Sequence, residues 1–138
     1  MRLILAIPMV ALVAGCSITQ KVDPVGSLEI RDICIIEDPA VRSGFLEEYK
    51  NTMAGKGYSV TILPKGSGRD SCELTSTYFA KWSWDLAIYM SLAEIKVYHR
   101  GALSGEAFYD SRSGGGRLDK FVDGESKVRE LVNQLFPG

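Results

Sequence analysis

The stretch that decides the fold is "ICIIEDP", residues 33–39, because a short apolar run ends there directly at a helix start. Ile33 to Ile36 form a continuous apolar run rich in β-branched side chains, which is typical of a strand covered on both faces. Asp38 then offers a side chain that can cap a helix, and Pro39 suits a first helical turn. The stretch therefore predicts a strand followed at once by a helix.

The predicted helix carries an apolar residue at every fourth position and ends at glycines. The repeat consists of Val41, Phe45, Tyr49 and Met53. Gly55 and Gly57 follow it, as is common after the last turn of a helix. Residues 58–63 then predict a second strand that stops at Pro64, so this part of the chain forms a βαβ unit.

Residues 72–110 alternate between apolar and polar side chains and predict a meander of three further strands. On the first of them the core face holds Leu74, Tyr78, Ala80 and Trp82. On the second, the apolar positions are even as far as Leu92 and odd from Ile95 onward. A strand changes faces only through an extra residue, so we expect a β-bulge between Leu92 and Glu94.

The last strand and a closing helix complete the predicted fold. Arg100 and Gly101 predict the turn before a strand at 103–109, and Asp119 is expected to cap the helix that follows. The buried stripe expected for this helix is Phe121, Val122, Val128, Leu131, Val132, Leu135 and Phe136. Five strands and two helices in this order predict an α/β fold, a two-layer sandwich with a mixed sheet. If both helices cover one sheet face, the other is left to solvent or to a partner.

The amino terminus reads as a targeting segment. Residues 3–13 form an apolar run of 11 residues, whereas a spanning helix needs about 20 and a signal peptide about 7 to 15. "VAGC", residues 13–16, resembles the lipobox of bacterial lipoproteins. That resemblance implies that residues 1–15 are a signal peptide and that Cys16 is acylated, with palmitate among its chains. Ser17, where an inner-membrane retention signal would have Asp, implies the periplasmic face of the outer membrane. The alternative is an ordinary secretory signal with a cysteine at the cut.

The remaining chain is expected to hold a tether and one periplasmic domain. Residues 16–27 lack helical or strand periodicity and contain Pro24 and Gly26, which indicates a flexible tether after the lipidated cysteine. Residues 28–138 are then a single α/β domain. After removal of Arg2 with the signal peptide, 15 basic and 17 acidic residues remain, a net charge of −2. This balance excludes a strongly basic nucleic-acid binder.

Two cysteines, Cys34 and Cys72, remain in a compartment that the signal segment makes oxidising. An even pair there favours a disulfide that joins the first strand to the third. The alternative is two buried free thiols.

Four strings later in the chain carry a family resemblance. "WSWDLAIYM", "AEIKVY", "YDSRSGGGRLDKF" and "ESKVRELV" together resemble an uncharacterised family of small lipoproteins from Gram-negative bacteria. The resemblance covers nearly all of the mature chain, Cys34 and Cys72 included, and implies no known activity. The element order also resembles the amino-terminal α/β domain of the periplasmic propeller protein of the Tol-Pal system, which is a likeness of fold and implies no function.

No combination of residues predicts catalysis, a metal site or a cofactor. The chain has one histidine, His99, beside the predicted turn, and neither a catalytic triad nor a common zinc site can be built around it. The acidic pairs at 37–38 and 47–48 are expected at a helix cap and on a solvated helix face. We therefore expect a protein that is not an enzyme.

The loop "RSGGGR" and a group of aromatic residues are the two candidate binding features. Arg112, Gly114, Gly115, Gly116 and Arg117 precede a helix and could present N–H groups and positive charge to an anion. Nearby acids and the absence of a P-loop pattern favour a flexible connection instead. Outward aromatic side chains are common at interfaces, although they also serve as cross-strand pairs. The candidate partner surface comprises Trp84, Asp85, Tyr89 and Tyr98.

The sequence thus favours one function and keeps two alternatives. The favoured one is an outer-membrane lipoprotein, held to the membrane by its lipid, whose domain contacts a protein partner in the cell envelope. The first alternative is a binder of small anionic ligands through the glycine loop. The second is an enzyme, for which no nucleophile, base and orienting group are visible together.

Overall fold

The computed structural model describes residues 17–138, which form one six-stranded sheet with two α-helices. The elements in chain order are β1 (Thr19–Asp23), β2 (Asp32–Ile36), α1 (Ser43–Gly55), β3 (Ser59–Leu63), β4 (Leu74–Asp85), β5 (Ala87–His99), β6 (Ala102–Asp110), a short 3₁₀ turn (Leu118–Lys120) and α2 (Gly124–Leu135). The predicted α/β class is confirmed, with one strand more than expected.

The sheet is mixed, and its strand order is β1-β6-β5-β4-β2-β3. β2 runs parallel to β3 and β4, whereas the β4–β5, β5–β6 and β6–β1 pairs are antiparallel. These directions place the start of β1, the end of β6 and the β4–β5 turn at one end of the sheet. We call this end the hairpin end.

Both helices pack on one face of the sheet, which we call the covered face. Phe45, Tyr49 and Met53 of α1 share a single apolar cluster with residues of α2 and of the central strands. The α2 contribution is Val128, Leu131, Val132 and Leu135. The apolar residues predicted for the two helices therefore form the core, except Phe121 and Val122, which lie before α2 and are only half-buried. The opposite face of the sheet, the open face, has neither α-helix on it.

The expected helix caps are displaced in both helices. α1 begins at Ser43 rather than after Asp38, whose carboxylate instead accepts a hydrogen bond from the Ala40 amide at 3.0 Å in the preceding turn. α2 is capped by Asp123, which accepts from the Ser126 amide, and not by Asp119, which lies in the 3₁₀ turn. Asp38 thus stabilises a local turn through a backbone amide, whereas Asp119 pairs with the Arg117 side chain. In each case the helix begins further along the chain.

The flexible tether predicted for residues 16–27 is wrong at Thr19–Asp23. These residues form β1, and all five of them pair with β6. Val25 is also buried, and its amide donates to the Leu135 carbonyl at 2.9 Å. Period-2 alternation is missing here because β1 is an edge strand that buries little side-chain area, so backbone pairing rather than hydrophobic patterning holds it. Residues 1–15 and Cys16, the predicted signal peptide and lipidation site, lie outside the described residues.

The predicted β-bulge exists, two residues earlier than expected. Lys81 pairs with Leu92 and Trp82 with Met90, so Ser91 is the extra residue. The side-chain pattern predicts the bulge too late in the strand, because Leu92 is apolar like the core residues although it lies on the open face. A second register shift, between Val97 and Tyr98 in the β5–β6 pair, was not predicted.

The disulfide between Cys34 and Cys72 is confirmed, with a Cα–Cα distance of 6.1 Å. Cys34 lies within β2, and Cys72 lies two residues before β4. The bond therefore fastens the loop 64–73 to the middle of the parallel strand pair, a connection that no regular element provides.

A buried tyrosine gives the core a pH-dependent stability. The Tyr49 hydroxyl donates to Ser76 Oγ at 2.7 Å, and Ser76 Oγ donates to the Lys96 carbonyl at 2.9 Å. Burial raises the pKa of Tyr49 above its usual value, because a phenolate inside the core would lack solvation. The folded state thus favours the protonated phenol, so this contribution to stability is complete below about pH 10 and is lost as the pH rises further.

We expect the free energy of unfolding to fall more steeply above about pH 10 in the native protein than in Tyr49→Phe. At neutral pH the variant should be less stable by about 1 kcal/mol, the usual contribution of one hydrogen bond. Urea unfolding between pH 8 and 11 measures both effects. Burial also raises the pKa of Tyr78, so the free energy of unfolding of Tyr49→Phe should still fall somewhat at alkaline pH. If it fell as steeply with pH in the variant as in the native protein, the assignment to Tyr49 would be wrong.

Candidate functional site

The β4–β5 hairpin projects beyond its neighbours and ends in exposed apolar side chains. Leu92 pairs with both Lys81 and Asp110, the last residue of β6, so residues 82–91 extend past the end of that strand. At the turn, Trp84 is 74 % exposed, Leu86 is 89 % exposed and Ile88 is 53 % exposed. Exposed apolar side chains are common singly, but a cluster of large ones at a projecting turn is typical of a contact site.

The turn itself has a strained backbone. Asp85 pairs directly with Ala87, which leaves Leu86 alone at the apex with a φ of 64°. This left-handed conformation costs an L-residue about 1 to 2 kcal/mol and is ordinarily given to Gly or Asn. The leucine side chain has almost no contacts that would offset the cost, so its presence points to a role outside the fold.

We expect Leu86→Gly to leave the protein at least as stable as the native chain, and up to about 1 kcal/mol more stable. The reason is that glycine removes the backbone strain, while an almost fully exposed side chain gives up little packing. Chemical denaturation measures the free energy of unfolding of each variant. Trp84→Gly serves as the comparison, because glycine within a strand should lower the stability of the protein. A clear loss of stability in Leu86→Gly would mean that the leucine supports the fold after all.

A buried lysine connects the hairpin to the loop that follows β6. The side chain of Lys120 is 4 % exposed, and its ammonium lies 2.5 Å from Asp85 Oδ2 and also donates to the Gly115 carbonyl. The rings of Tyr89 and Phe121 lie 5.4 Å and 5.2 Å from the same nitrogen, within the range of cation–π contact. Lys120 thus holds the turn and the glycine loop in one arrangement.

The start of the described chain reaches the same loop. The Ser17 amide donates to the Ser113 carbonyl at 3.0 Å, and Ile18 lies against Gly114. The Ser111 amide in turn donates to the Ser91 carbonyl at 2.9 Å. Leu118, 80 % exposed, stands two residues before Lys120. We call Trp84, Leu86, Ile88 and Leu118 the apolar tip, and it shares the hairpin end with Ser17.

The structure does not assemble the predicted partner surface as expected. Trp84 and Asp85 are exposed at the turn, but Tyr89 and Tyr98 are buried. Phe121 packs edge-on against Tyr89 with 5.3 Å between ring centroids, and Arg69 lies 4.9 Å above Tyr98. Alternation correctly separates these tyrosines from the core positions, but loop residues distant in sequence cover them.

Both arginines of the glycine loop already form ion pairs with aspartates. Arg112 forms two side-chain bonds to Asp110, at 3.0 Å and 2.8 Å, and Arg117 bonds to Asp119. The two guanidinium groups hold the pKa of Asp110 and of Asp119 below the usual range. Gly114, Gly115 and Gly116 connect β6 to the 3₁₀ turn. An anion at this loop would have to displace carboxylates, and anion binding there stays a prediction.

The remaining polar candidates lie in surface ion pairs. His99 Nε2 is 3.8 Å from Glu73 Oε1, which also pairs with Arg100 at 3.3 Å. Glu48 accepts from Arg129 Nε at 2.7 Å, a contact between α1 and α2. Within residues 17–138 no three His, Cys, Asp or Glu side chains cluster as a metal site would require. In the same range no helix has the length and apolarity to span a bilayer.

The open face of the sheet carries apolar and charged residues in cross-strand rows. One row runs Phe79–Glu94–Phe108–Lys21 across four strands. Phe79 is 38 % exposed, and Leu103, near the opposite end of the sheet, is 56 % exposed. Lys96 and Glu94 pair at 3.5 Å on this face. The surface therefore combines partly exposed aromatic rings with charges of both signs.

Sequence reasoning missed four residues that make the hairpin end distinctive. Leu86 and Ile88 are among the even apolar positions before Leu92, which the alternation predicts to lie on one face of a strand, and no pattern predicts a role for Leu118 or Lys120. A signal for Leu86 existed, because it stands at the point where two alternating strands must reverse and where Gly or Asn is usual. Nothing local indicated that Lys120 would be buried.

Comparison with known proteins gives a likeness of fold. No protein-family model and no curated protein sequence matches the chain. A solved structure of the PelC dodecamer from Paraburkholderia phytofirmans is similar, with a TM-score of 0.55 and 13 % identity over 85 % of this chain and 95 % of that chain. The dodecamer of a single-substitution variant of that PelC has the same TM-score, with 12 % identity over 86 % and 95 %. These identities support a shared fold and leave the likeness to the Tol-Pal propeller protein and to the small lipoprotein family as predictions.

Proposed function

We propose that this protein is a non-enzymatic lipoprotein of the outer membrane whose periplasmic domain binds an envelope protein through the open face of its sheet. The observation that carries the proposal is that both helices cover the other face, which leaves the row around Phe79 partly exposed. Interfaces of this kind combine aromatic side chains with a polar rim. The charges on this face are of both signs, which suits contact with another protein better than with a nucleic acid.

The lipid anchor in this proposal is supported by the lipobox-like residues 13–16 and by the disulfide. A bond between Cys34 and Cys72 is consistent with export to an oxidising compartment. Metabolic labelling with a palmitate analogue tests the anchor, since Cys16→Ala should lose the label and the membrane fraction. Label that persists in Cys16→Ala would contradict acylation at this residue.

We propose a further copy of this chain as the first partner of the open face. PelC, which is similar in fold, is a dodecamer, so a domain of this shape can assemble with itself. The row Phe79–Glu94–Phe108–Lys21 places opposite charges beside aromatic rings, and two copies can pair these charges with one another. Contact of the same face on two copies is self-complementary, so it would join them as a twofold-symmetric pair.

In-cell photo-crosslinking tests the partner face. A photoreactive phenylalanine analogue at position 79 fits the existing aromatic site, and the same analogue at Asn51, exposed on α1, serves as the control. We expect an adduct from position 79 and little from position 51. An adduct of twice the chain mass would identify self-assembly, and a heavier or lighter one would identify a different envelope protein. No adduct from position 79 in a correctly lipidated protein would refute the proposed face.

A further inference from the structure

We infer that the apolar tip, Trp84, Leu86, Ile88 and Leu118, inserts into the interfacial layer of the same bilayer that holds the acylated Cys16. This inference rests on the proposed lipid anchor and adds a second point of contact with lipid. The domain would then stand on the membrane surface in a fixed orientation, and not hang from a flexible tether.

The first argument is where the described chain begins. Ser17 and Ile18 alone separate Cys16 from β1, because the segment predicted as a tether is a strand of the sheet. A continuous set of contacts links this point to the turn: Ser17 to Ser113, then Gly115 and Asp85 through the Lys120 ammonium. An anchor at Cys16 therefore brings the hairpin end, and not the opposite end, to the lipid.

The second argument is the reach of the hairpin. Ser91 lies level with the loop that holds Ser17, since the Ser111 amide bonds to its carbonyl, and Leu86 is five residues further along the strand. At about 3.4 Å per residue the turn extends about 17 Å past that level. Amphipathic elements penetrate only about 5 to 10 Å into the headgroup boundary. The tip is thus long enough to reach the interface even when the strands are strongly inclined to the membrane.

The third argument is the chemistry of the tip. Tryptophan is enriched at membrane interfaces, and leucine and isoleucine partition into the acyl region beneath them. Asp85, the charged residue at the turn, is neutralised by the ammonium of Lys120 at 2.5 Å. A lipid contact also explains why a strained and exposed Leu86 stands where glycine would be more stable. No other part of residues 17–138 joins three exposed large apolar side chains within five positions.

Depth-dependent quenching of tryptophan fluorescence tests the inference on the full lipidated protein. The chain has two tryptophans, so Trp82→Phe leaves Trp84 as the reporter. The protein is reconstituted into vesicles of phosphatidylethanolamine and phosphatidylglycerol, with and without bromine atoms near the headgroup end of the acyl chains. We expect the bromine atoms to reduce the Trp84 emission about twofold, as for a side chain at the interface.

The matched control places the reporter at the opposite end of the sheet. Leu103 is 56 % exposed beside the β5–β6 turn, so Leu103→Trp in a chain carrying Trp82→Phe and Trp84→Phe should show no quenching. Unquenched Trp84, or equal quenching of both reporters, would overturn the inference. Vesicle flotation separates this result from a failed anchor: a protein that floats without quenching keeps its anchor and loses only the tip contact, whereas a protein that does not float refutes the lipid anchor itself.

Discussion

Replacing both Cys34 and Cys72 by alanine should lower the free energy of unfolding by about 4 kcal/mol in the chain-entropy treatment of disulfides. The bond closes a loop between residues 38 positions apart, so its loss releases a large restriction on the unfolded chain. Thr75, which accepts from the Cys72 amide at 3.1 Å and is fully buried, keeps part of the local geometry. A loss of this size corresponds to a fall in melting temperature of about 15 °C for a domain of this length.

Thermal unfolding followed by circular dichroism measures this effect, with and without reductant. The native protein should lose a similar amount of stability when reduced, and the double-alanine variant should not respond to reductant at all. The comparison isolates the covalent bond from the small change in side-chain volume. A double variant that melts within about 3 °C of the native protein would contradict the expected contribution of the bond.

The second large effect is expected at Gly105, where β6 approaches the segment that follows β1. A Cβ atom at this position would lie 2.6 Å from Val25 Cγ2 and 2.9 Å from the Val25 backbone nitrogen. That nitrogen donates to the Leu135 carbonyl at 2.9 Å, so the segment has no free direction in which to move. Gly105→Val should cost about 3 kcal/mol through overpacking.

Gly26→Ala is the matched control for this substitution. Gly26 is in the same crossing segment, directly after Val25, but nothing lies within 4 Å of the position of its Cβ. We expect a change in stability below about 0.5 kcal/mol there. Hydrogen exchange adds a local measurement, because Gly105→Val should expose the amides of β1 first. Equal stability of the two variants would show that the segment can shift to accept a side chain.

The fold was predictable where apolar periodicity is strong. Phe45, Tyr49 and Met53 recur at every fourth position and form the buried side of α1. The continuous run at Ile33–Ile36 lies in β2, where all four side chains are buried. These two patterns predict the structure because burial of apolar area is the largest favourable contribution to folding. The helix starts were misplaced because both carboxylates have other local partners: Asp38 accepts from the Ala40 amide in a turn, and Asp119 pairs with the Arg117 guanidinium.

The candidate site was much less predictable. The exposure of Trp84 was anticipated, but the burial of Tyr89 and Tyr98 depends on Phe121 and Arg69, residues that are distant along the chain. The strand β1 was not predicted because it is an edge strand held by backbone hydrogen bonds to β6. Every residue type except proline can form such bonds, so they produce no pattern of side chains in the sequence.

Sequence by itself determined the α/β class, the core side chains of both helices, the existence of a bulge in β5 and the pairing of Cys34 with Cys72. Each of these depends on local periodicity or on the number of cysteines, which any reader of the chain can count. The tertiary structure decided that Ser17 and the apolar tip share one end of the sheet, that Lys120 is buried against Asp85, and that Gly105 must lack a side chain. These features arise where segments far apart in sequence are brought together, and contacts of that kind are set by the packing of the whole domain.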